Sequence, residues 1–505
     1  ALPRRRRVPL SSPPPPMTKE RLEDAAARGI DAQVMRHPET GIRVLICGAG
    51  LGGLACALEC WRKGHTVEVL DRSVGPVWTG DNIQIQPSAV LMWRHWPEMG
   101  YEIEANQYDV GMSYYRHSGE RIYGPAPPMF NDTEHLAGRR GFSSVNAHAR
   151  IKLYRAFLRQ VARIGLQIEW GTKVAEYWED TAQGVGGVVL EDGRKRAADI
   201  VVAADGVRTK SSTIVSGTPK ELQRSGKALY RAAFPIEHAL RDPLVQEMWK
   251  FKKDDKPIWQ FWIGCVLPPP TKDREAIVLT VVSRANLRAG MAATPRWRSP
   301  TTSPFGHDAT AHESWVPDVD PAEVIAIMER DTTFHPALEA LIRATPAGLG
   351  DAAHAFLPTS GNGATQAIED AMTLATCLQL GRDSRGAADA ARAYNRLRFQ
   401  RVSCGQKMAF INLQVKHNTD WDAVARDPAL IRSRYPKWVW SHDAEAYAYE
   451  KFHEAFQHVV TNGEVELHHT NIPRGYKHKP WTMAEVMEQI KAGKNLTELQ
   501  EGDWS

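Results

Sequence analysis

Between residues 42 and 71 the apolar positions fall into two strand-length runs with a small-residue segment between them. The runs are IRVLIC, which starts at Ile42, and HTVEVLD, which ends at Asp71. Both are short, rich in β-branched residues and bounded by turn formers, as strands are. The glycines after Cys47 open a helix-length segment that continues through Trp61. The pattern predicts strand, turn, helix and strand.

Further along the chain, other segments have a clear period. A long helix is predicted at about residues 147–164, a strand at DIVVAAD from Asp199, and mostly helix after Gln366. Mixed strands and helices are predicted up to Leu341. Residues 292–315 show no period and many turn formers, so we expect an exposed insertion there.

Length, composition and charge narrow the class of protein. A chain of 505 residues with 43% apolar side chains predicts two or three domains. No apolar run approaches 18 uncharged residues, so we expect no spanning membrane segment. The net charge of +4 is close to balance, and no nucleic-acid partner is expected. Residues 1–38 begin with a basic, proline-rich stretch that includes Arg4–Arg7, and we expect a disordered tail there.

Cysteine and histidine spacing argues against disulfides and metals. The six cysteines show no C-x-x-C pairing, which favours reduced thiols and a cytoplasmic protein. His148, His354 and the His468–His469 pair lack metal-ligand spacing. We therefore interpret these histidines as satisfied surface or core residues and expect no metal.

The segment Gly48-Ala49-Gly50-Leu51-Gly52-Gly53 has the spacing G-x-G-x-x-G directly after a predicted strand and at the start of a predicted helix. Gly48 permits a tight turn, Gly50 lets the backbone approach a pyrophosphate, and Gly53 lets the helix pack on the strand. The helix N-terminus then meets the negative charge. The motif predicts a dinucleotide site.

Asp71 supports the same prediction, because it closes the next strand. A carboxylate at that position accepts a hydrogen bond from an adenosine ribose hydroxyl and suits a ribose without a 2′-phosphate. These residues do not decide between NAD and FAD. The chain has one such motif, whereas a reductase that binds two dinucleotides tightly is expected to show a second.

Two further motifs point to a family. VVAADGVRTKSS places Asp205-Gly206 at the end of a strand, and LGDAAHAFLPTSGNGATQAIED places Gly350-Asp351 before the helix at Gln366. Together with Gly48–Gly53, they resemble the three motifs of class A flavoprotein monooxygenases. The residues of the Gly350-Asp351 motif are similar to those of the fungal salicylate-hydroxylase-like branch of these single-component aromatic hydroxylases. The resemblance covers residues 41–235 and 330–415.

The resemblance implies a set of FAD contacts. Asp71 is expected to hold the adenosine ribose, Arg150 to reach the phosphates, and Asp351 to accept a ribityl hydroxyl. Glycine-rich backbone that leads into a helix N-terminus suits the N1–C2 carbonyl edge of the flavin. A solvated helix arginine and a helix N-cap are the structural alternatives for Arg150 and Asp351. The other expected FAD-site residues are Gly48, Gly50, Gly53, Asp81, Asp205, Gly206, Pro358, Gly361, Gly363 and Ala364.

The fold class implied is α/β. It consists of a Rossmann-like FAD-binding domain similar to that of para-hydroxybenzoate hydroxylase, an interleaved mixed-sheet substrate domain and a helical C-terminal region. The FAD-binding domain is expected at residues 39–220 and 337–415, the substrate domain at 221–336, and the C-terminal helices at 416–505. A monomer or a homodimer is expected.

The implied reaction is the hydroxylation of a phenolic or other aromatic small molecule with O2 and NAD(P)H, through a flavin C4a-hydroperoxide. Asp205-Gly206 serves both FAD and the transient NAD(P)H in this family. A phenol must be activated toward phenolate, and the segment GKALYRAAF makes Arg231 and Tyr230 the candidates for this task. A sheet face without catalytic function is the alternative for this pair.

Two other interpretations remain. A related flavoprotein that halogenates or reduces is disfavoured, because WVWSHD at Trp438 lacks the Ile-Pro of the halogenase motif. The other is an impaired FAD-binding homologue. Only Ala347-Gly348-Leu349 separate Pro346 from Gly350, where family members carry some tens of residues. A buried strand before a Gly-Asp motif needs about 4 to 6 apolar residues, so we expect a damaged junction at residues 345–350.

Overall fold

The computed structural model of the protein describes the greater part of the chain. The described residues are 18–78, 82–108, 111–116, 118–131, 141–143, 147–206, 209–217, 236–248, 251–253, 256–258, 262–266, 277–281, 322, 325, 335–343, 361–417, 421–432, 435–492, 494 and 499–504. The predicted insertion at 292–315 and the predicted damaged junction at 345–350 lie outside them.

The described strands and helices are numbered in chain order. The strands are β1 (Arg43–Cys47), β2 (Thr66–Asp71), β3 (Asn82–Ile83), β4 (Gln107–Tyr108), β5 (Met112–Arg116), β6 (Arg121–Ala126), β7 (Ala147–Ala149), β8 (Ile168–Trp170), β9 (Val174–Asp180), β10 (Val185–Leu190), β11 (Lys195–Ala198), β12 (Ile200–Ala203), β13 (Phe251–Lys253), β14 (Lys256–Ile258), β15 (Trp262–Val266) and β16 (Ile277–Val281). The helices are α1 (Lys19–Arg28), α2 (Leu51–Arg62), α3 (Pro87–Val90), α4 (Pro97–Asn106), α5 (Arg150–Arg163), α6 (Ser212–Ser216), α7 (Pro243–Met248), α8 (Pro336–Arg343), α9 (Gly363–Leu380), α10 (Ser384–His417), α11 (Trp421–Arg426), α12 (Lys437–Trp440), α13 (Ala444–Val460) and α14 (Met483–Lys491).

A parallel sheet with the order β12-β1-β2-β8 is the centre of the fold. Its register places Cys47 opposite both Ala203 and Leu70. The carboxyl ends of β1, β2 and β12 therefore meet at one edge. The helix α2 connects β1 to β2, as the apolar pattern predicts, and the predicted α/β fold is confirmed.

Both faces of this sheet are covered, which explains why its central strand β1 is apolar after Arg43 and its strand β12 is apolar throughout. Val44, Ile46 and Val69 face a core shared with the helices. Leu45 and Cys47 face the antiparallel sheet β11-β10-β9 on the other side. Side chains alternate between the faces along a strand, so neighbouring residues of β1 serve different cores.

A second sheet has the order β15-β16-β5-β6 and is antiparallel. Its strands β5 and β6 come from the segment predicted as the first part of the FAD-binding domain, whereas β15 and β16 come from the predicted substrate domain. Residues far apart in sequence thus form one sheet, with Leu279 opposite Tyr114. The predicted interleaving of the two regions is visible in this pairing.

The N-terminal segment corrects the sequence prediction. Residues 18–38 were expected to be disordered, but α1 lies within them. The Thr18 hydroxyl accepts a hydrogen bond from the Arg21 N–H, and Gly29 in the left-handed region ends the helix. Ala25 is fully buried, and Arg28 forms an ion pair with Glu104 at 2.7 Å. These long-range contacts order a segment whose composition alone predicts disorder; residues 1–17 lie outside the described residues.

Helices dominate the described chain from Gly363 onward, as predicted, and the first begins three residues before the predicted start at Gln366. The long helix predicted at 147–164 also exists, as α5 preceded by the short strand β7. Among the described residues, no helix combines the length and apolar content needed to cross a bilayer.

Candidate active site

The turn after β1 accepts only glycine at two of its positions. Gly48 has φ of +118°, and a Cβ on it would overlap the carbonyl oxygen of Ala204. A Cβ on Gly53 would overlap the carbonyl oxygen of Gly48. These contacts hold the β1 turn, the start of α2 and the end of β12 together, as the motif predicts.

Gly50 is different, because it keeps a space open. It is the N-cap of α2 with φ of −72°, which any residue adopts, and among the described residues outside its own turn none comes within 4 Å of a Cβ built on it. The first N–H groups of a helix lack acceptors within the helix and carry partial positive charge. The space at Gly50 is therefore a cradle that suits a phosphate group.

Asp71 is hydrogen-bonded to this turn. Its Oδ2 accepts a hydrogen bond from the Ala49 N–H at 2.7 Å, and its Oδ1 accepts one from the Ser73 N–H at 2.7 Å. An ionised carboxylate has about four acceptor sites, so it retains acceptors for a ribose hydroxyl. The backbone bonds fix the position of the carboxylate beside the cradle.

The N-terminus of α9 lies next to that of α2. A Cβ on Gly52, in the first turn of α2, would lie 3.2 Å from the Cβ of Ala367. Gly361 has φ of +58° and adjoins the Gln84 side chain, and the Thr365 hydroxyl accepts a hydrogen bond from the Gln86 N–H at 3.0 Å. Two positive helix ends thus come together, with Gly363 and Ala364 in the first turn of α9.

Asp205 lies at the same edge of the sheet, after β12. Its Oδ2 accepts a hydrogen bond from the Tyr177 hydroxyl at 2.8 Å. Its Oδ1 is shielded from solvent and has no hydrogen-bond donor in the described structure. An unpaired buried carboxylate oxygen is costly, so this atom is suited to a donor from a ligand. Gly206 follows with φ of +87°, and no described residue other than its chain neighbours lies within 4 Å of a Cβ built on it.

Arg150 is the first residue of α5, and its guanidinium lies 5.6 Å from the ring centre of Tyr154. Burial, with a smaller effect of the Asp71 carboxylate, raises the pKa of Tyr154 to about 12. The ring of Tyr154 also meets the edge of Trp78, over which Arg155 lies at 5.3 Å. Arg150 and Asp71 are thus both close enough to Tyr154 for their charges to act on its hydroxyl.

Sequence reasoning missed three aromatic residues of this region. Tyr154 lies within range of the Asp71 charge, Trp78 packs against Tyr154, and the Tyr177 hydroxyl donates to Asp205. Tyr154 had a signal, because it lies one helical turn after Arg150 on the same face. Tyr177 had none, because β9 meets Asp205 only through tertiary packing.

Several predicted site residues cannot be placed. Asp81, Tyr230, Arg231, Asp351 and Pro358 all lie outside the described residues. Of the other predicted site residues, the described structure brings together Gly48, Gly50, Gly53, Asp71, Asp205, Gly206, Gly361, Gly363 and Ala364, and it places Arg150 at the start of α5 beside Tyr154.

The prediction of satisfied histidines was wrong in part. The Nδ1 of His469 is buried without a hydrogen-bond partner among the described residues, and His354 lies outside them. His148 is 2% exposed, and its Nε2 also has no hydrogen-bond partner within the described structure, so it is not a fully satisfied core residue. Burial lowers its pKa to about 4, which keeps the ring neutral at pH 7. Within the described residues, no three His, Cys, Asp or Glu side chains are grouped as metal ligands.

Comparison with known proteins identifies the family. The FAD-dependent monooxygenase fsr3 of Gibberella fujikuroi is 61% identical over 516 aligned positions, which cover 97% of this chain and 95% of the relative. The FAD-dependent monooxygenase mdpD of Emericella nidulans is 45% identical over 93% of this chain and 92% of its own length. This chain belongs to the FAD-dependent monooxygenases. No protein-family model matches it.

Solved structures agree with this membership. CtdE in complex with FAD and a substrate superposes on this monooxygenase with a TM-score of 0.63 at 25% identity, over 83% of this chain and all of CtdE. A salicylate hydroxylase substrate complex, at 18% identity and a TM-score of 0.52 over 81% of this chain and 98% of that one, shares the fold. The resemblance to class A flavoprotein monooxygenases is confirmed, and FAD is the cofactor.

Proposed function

We propose that this monooxygenase uses NAD(P)H and O2 to hydroxylate a phenolic or other aromatic small molecule. The observation that carries the proposal is the convergence of two helix N-termini at one edge of the parallel sheet, beside Asp71 and Asp205. When bound there, FAD supplies hydride acceptance and oxygen activation, which amino-acid side chains do not provide.

The chain contributes binding and electrostatics to this reaction. Gly50 leaves room for the pyrophosphate at the start of α2, and Asp71 accepts a ribose hydroxyl. The N–H groups of Gly363 and Ala364 at the start of α9 would stabilise negative charge on the pyrimidine edge of a bound flavin. The resemblance implies that Asp351 would accept a ribityl hydroxyl and that Pro358 would lie beside the flavin ring.

We assign the contact with the phenolic substrate to Arg231 and Tyr230. A phenol reacts with an electrophilic oxygen faster as phenolate, and a guanidinium beside its hydroxyl or carboxylate favours the anionic form. Arg231 is our candidate for this contact, and Tyr230 is the second. Asp205-Gly206 serves NAD(P)H as well as FAD, which agrees with a single G-x-G-x-x-G motif in the chain.

The test is the oxidation of NADH and NADPH by the FAD-loaded protein in the presence of a panel of phenolic acids and polyketide-like phenols. We expect a correct phenol to accelerate coenzyme oxidation, to lower the yield of H2O2 and to gain the mass of one oxygen atom. Substitution of Arg231 by Met is expected to raise KM for that phenol and to increase H2O2. Coenzyme oxidation without product from any phenol contradicts the proposal.

A second candidate function is that of an impaired FAD-binding homologue. The alignment with the 61% identical relative spans 516 positions, more than the 505 residues of this chain, so the relative carries residues with no counterpart here. This supports a deletion, and we propose that it lies before Gly350. A version with a family-length segment inserted before Gly350 is expected to retain more flavin and resist protease better. Equal flavin content and equal resistance would show that the short junction is tolerated.

A further inference from the structure

Tyr177 connects the antiparallel sheet β11-β10-β9 to the edge of the parallel sheet where β1, β2 and β12 end, which we call the dinucleotide edge. It belongs to β9, in the antiparallel sheet that covers one face of the parallel sheet, and it is 8% exposed. Its hydroxyl donates a hydrogen bond to Asp205 Oδ2 at 2.8 Å. Asp205 itself follows β12 and adjoins the Gly48 turn, because a Cβ on Gly48 would overlap the Asp205 N–H group.

The tyrosine stays a donor over the whole working pH range. Burial and the neighbouring Cys47 and Asp205 raise the pKa of Tyr177 far above its ordinary value. Burial also raises the pKa of the Cys47 thiol to about 12, so it adds no charge at neutral pH. A neutral O–H donor beside a carboxylate gives a charge-assisted hydrogen bond, which fixes the direction of the carboxylate.

The two oxygens of Asp205 then have different tasks. Oδ2 is occupied by Tyr177, whereas Oδ1 is shielded and has no donor within the described part of the chain. A carboxylate oxygen repels phosphate and accepts from O–H groups. The chemical partner that fits Oδ1 is therefore a ribityl or ribose hydroxyl, and a pyrophosphate oxygen does not fit.

We propose that Tyr177 is a positioning residue, which orients Asp205 so that Oδ1 accepts a hydroxyl of the bound dinucleotide. The inference rests on the proposed role of Asp205 in dinucleotide binding. It assigns a task to a residue outside the three motifs, on a strand that forms no part of the nucleotide-binding turn.

The test compares Tyr177→Phe with Tyr101→Phe. Tyr101 also donates to an aspartate, Asp24 Oδ2, at 2.7 Å, but this pair lies at α1. Both variants lose one tyrosine–aspartate hydrogen bond. We expect Tyr177→Phe to weaken FAD binding to the apoprotein by roughly tenfold, as for loss of a hydrogen bond to a charged group. Tyr101→Phe is expected to leave FAD affinity unchanged.

Asp205→Asn tests separately whether Asp205 contacts the dinucleotide and whether Tyr177 positions it. Weaker FAD binding in Asp205→Asn, with no further loss in the Tyr177→Phe/Asp205→Asn double variant, supports the positioning role, because the two residues then act as one unit. Losses that add in the double variant overturn it and leave Asp205 as a dinucleotide contact. Full FAD affinity and an unchanged KM for NADH and NADPH in Asp205→Asn overturn both assignments.

A second tyrosine variant guards against a folding defect. Replacement of Tyr177 by 4-aminophenylalanine keeps an N–H donor at the position of the hydroxyl, and we expect it to bind FAD more tightly than Tyr177→Phe at similar apoprotein stability. If the phenylalanine variant does not fold, the 4-aminophenylalanine variant is compared with wild type. Tenfold weaker FAD binding with the donor retained would then overturn the proposal, and near-normal binding supports it.

Discussion

The Asp71 carboxylate accepts a hydrogen bond from the backbone N–H of Ala49, with 2.7 Å between the two heavy atoms. The bond joins the end of one strand to the turn after its neighbour. The same carboxylate accepts the Ser73 N–H through its other oxygen. The acid therefore has a structural task in addition to the ribose contact that the motif predicts.

Substitution of Asp71 by Ala is expected to lower both stability and FAD affinity. Two hydrogen bonds from backbone N–H groups to a charged oxygen are lost, with a cost of about 1.5–3 kcal/mol each before relaxation. Asp199→Ala is the matched control, because Asp199 Oδ2 accepts the Arg43 N–H at 2.8 Å at the opposite edge of the same sheet. FAD titration should separate the variants: only Asp71→Ala weakens binding. Equal affinity in the two would remove Asp71 from the site.

The glycines of the turn are expected to respond differently to alanine. Gly48→Ala combines a strained φ with overlap on Ala204, and it should lower the unfolding free energy by at least about 2 kcal/mol. Gly50→Ala should change it by less than about 1 kcal/mol, yet weaken FAD binding, because its methyl group enters the cradle. Gly41→Ala, with φ of +74° and open space, isolates the strain. Normal FAD affinity in Gly50→Ala would contradict the cradle.

His65 is expected to make stability fall with acid. Its Nε2 donates to the Ala375 carbonyl at 3.1 Å, and its Nδ1 lies 2.8 Å from the Thr40 hydroxyl oxygen. Burial lowers its pKa from 6.5 to about 4. Because the unfolded chain binds the proton first, stability is full above about pH 6.5 and is lost as pH falls toward 4, by at most about 3 kcal/mol.

Denaturant unfolding at pH 7.5 and pH 5 checks this sign. His65→Gln should show a smaller loss of stability between the two pH values than wild type does. His453→Gln, on the exposed side of α13, should behave as wild type. A steeper loss in His65→Gln than in wild type would contradict the assignment.

Glu369 on α9 is expected to be a strong stabilising residue. It is fully buried between Arg398 and Arg401, with Nε of Arg401 at 2.8 Å from its Oε2. Although burial alone raises its pKa, the two guanidiniums hold that pKa well below the usual range. Glu369→Gln leaves two buried cations without their full counter-charge and should cost about 3–5 kcal/mol.

An exposed ion pair provides the comparison. Glu339 and Arg343 on α8 form an i,i+4 pair at 2.6 Å, and Glu339→Gln should cost less than about 1 kcal/mol. Thermal and denaturant unfolding measure both changes. Similar small losses at the two positions would show that the Glu369 network contributes little.

Local and periodic features were readable from the sequence. The turn at Gly48–Gly53 needs glycine for reasons of backbone conformation and close approach, and these act within a few residues. Asp71 follows at the end of the next strand, and the apolar runs that form β1 and β2 have the length and composition of buried strands. The dinucleotide edge and the α/β class follow from such short-range rules.

Contacts between distant segments were decided by the tertiary structure. The pairing of β5 with β16 joins residues more than 150 positions apart, and no local pattern specifies that register. The order in residues 18–38 comes from the Arg28–Glu104 pair and the burial of Ala25, whereas composition favours disorder.

The same distinction holds within the site. The sequence determined that Asp205 ends a strand at the nucleotide edge, because a turn motif follows an apolar run. Only the packing of β9 against the parallel sheet brought the Tyr177 hydroxyl to its carboxylate. A hydrogen bond between side chains 28 residues apart depends on how two sheets stack, and the stacking is set by the whole core.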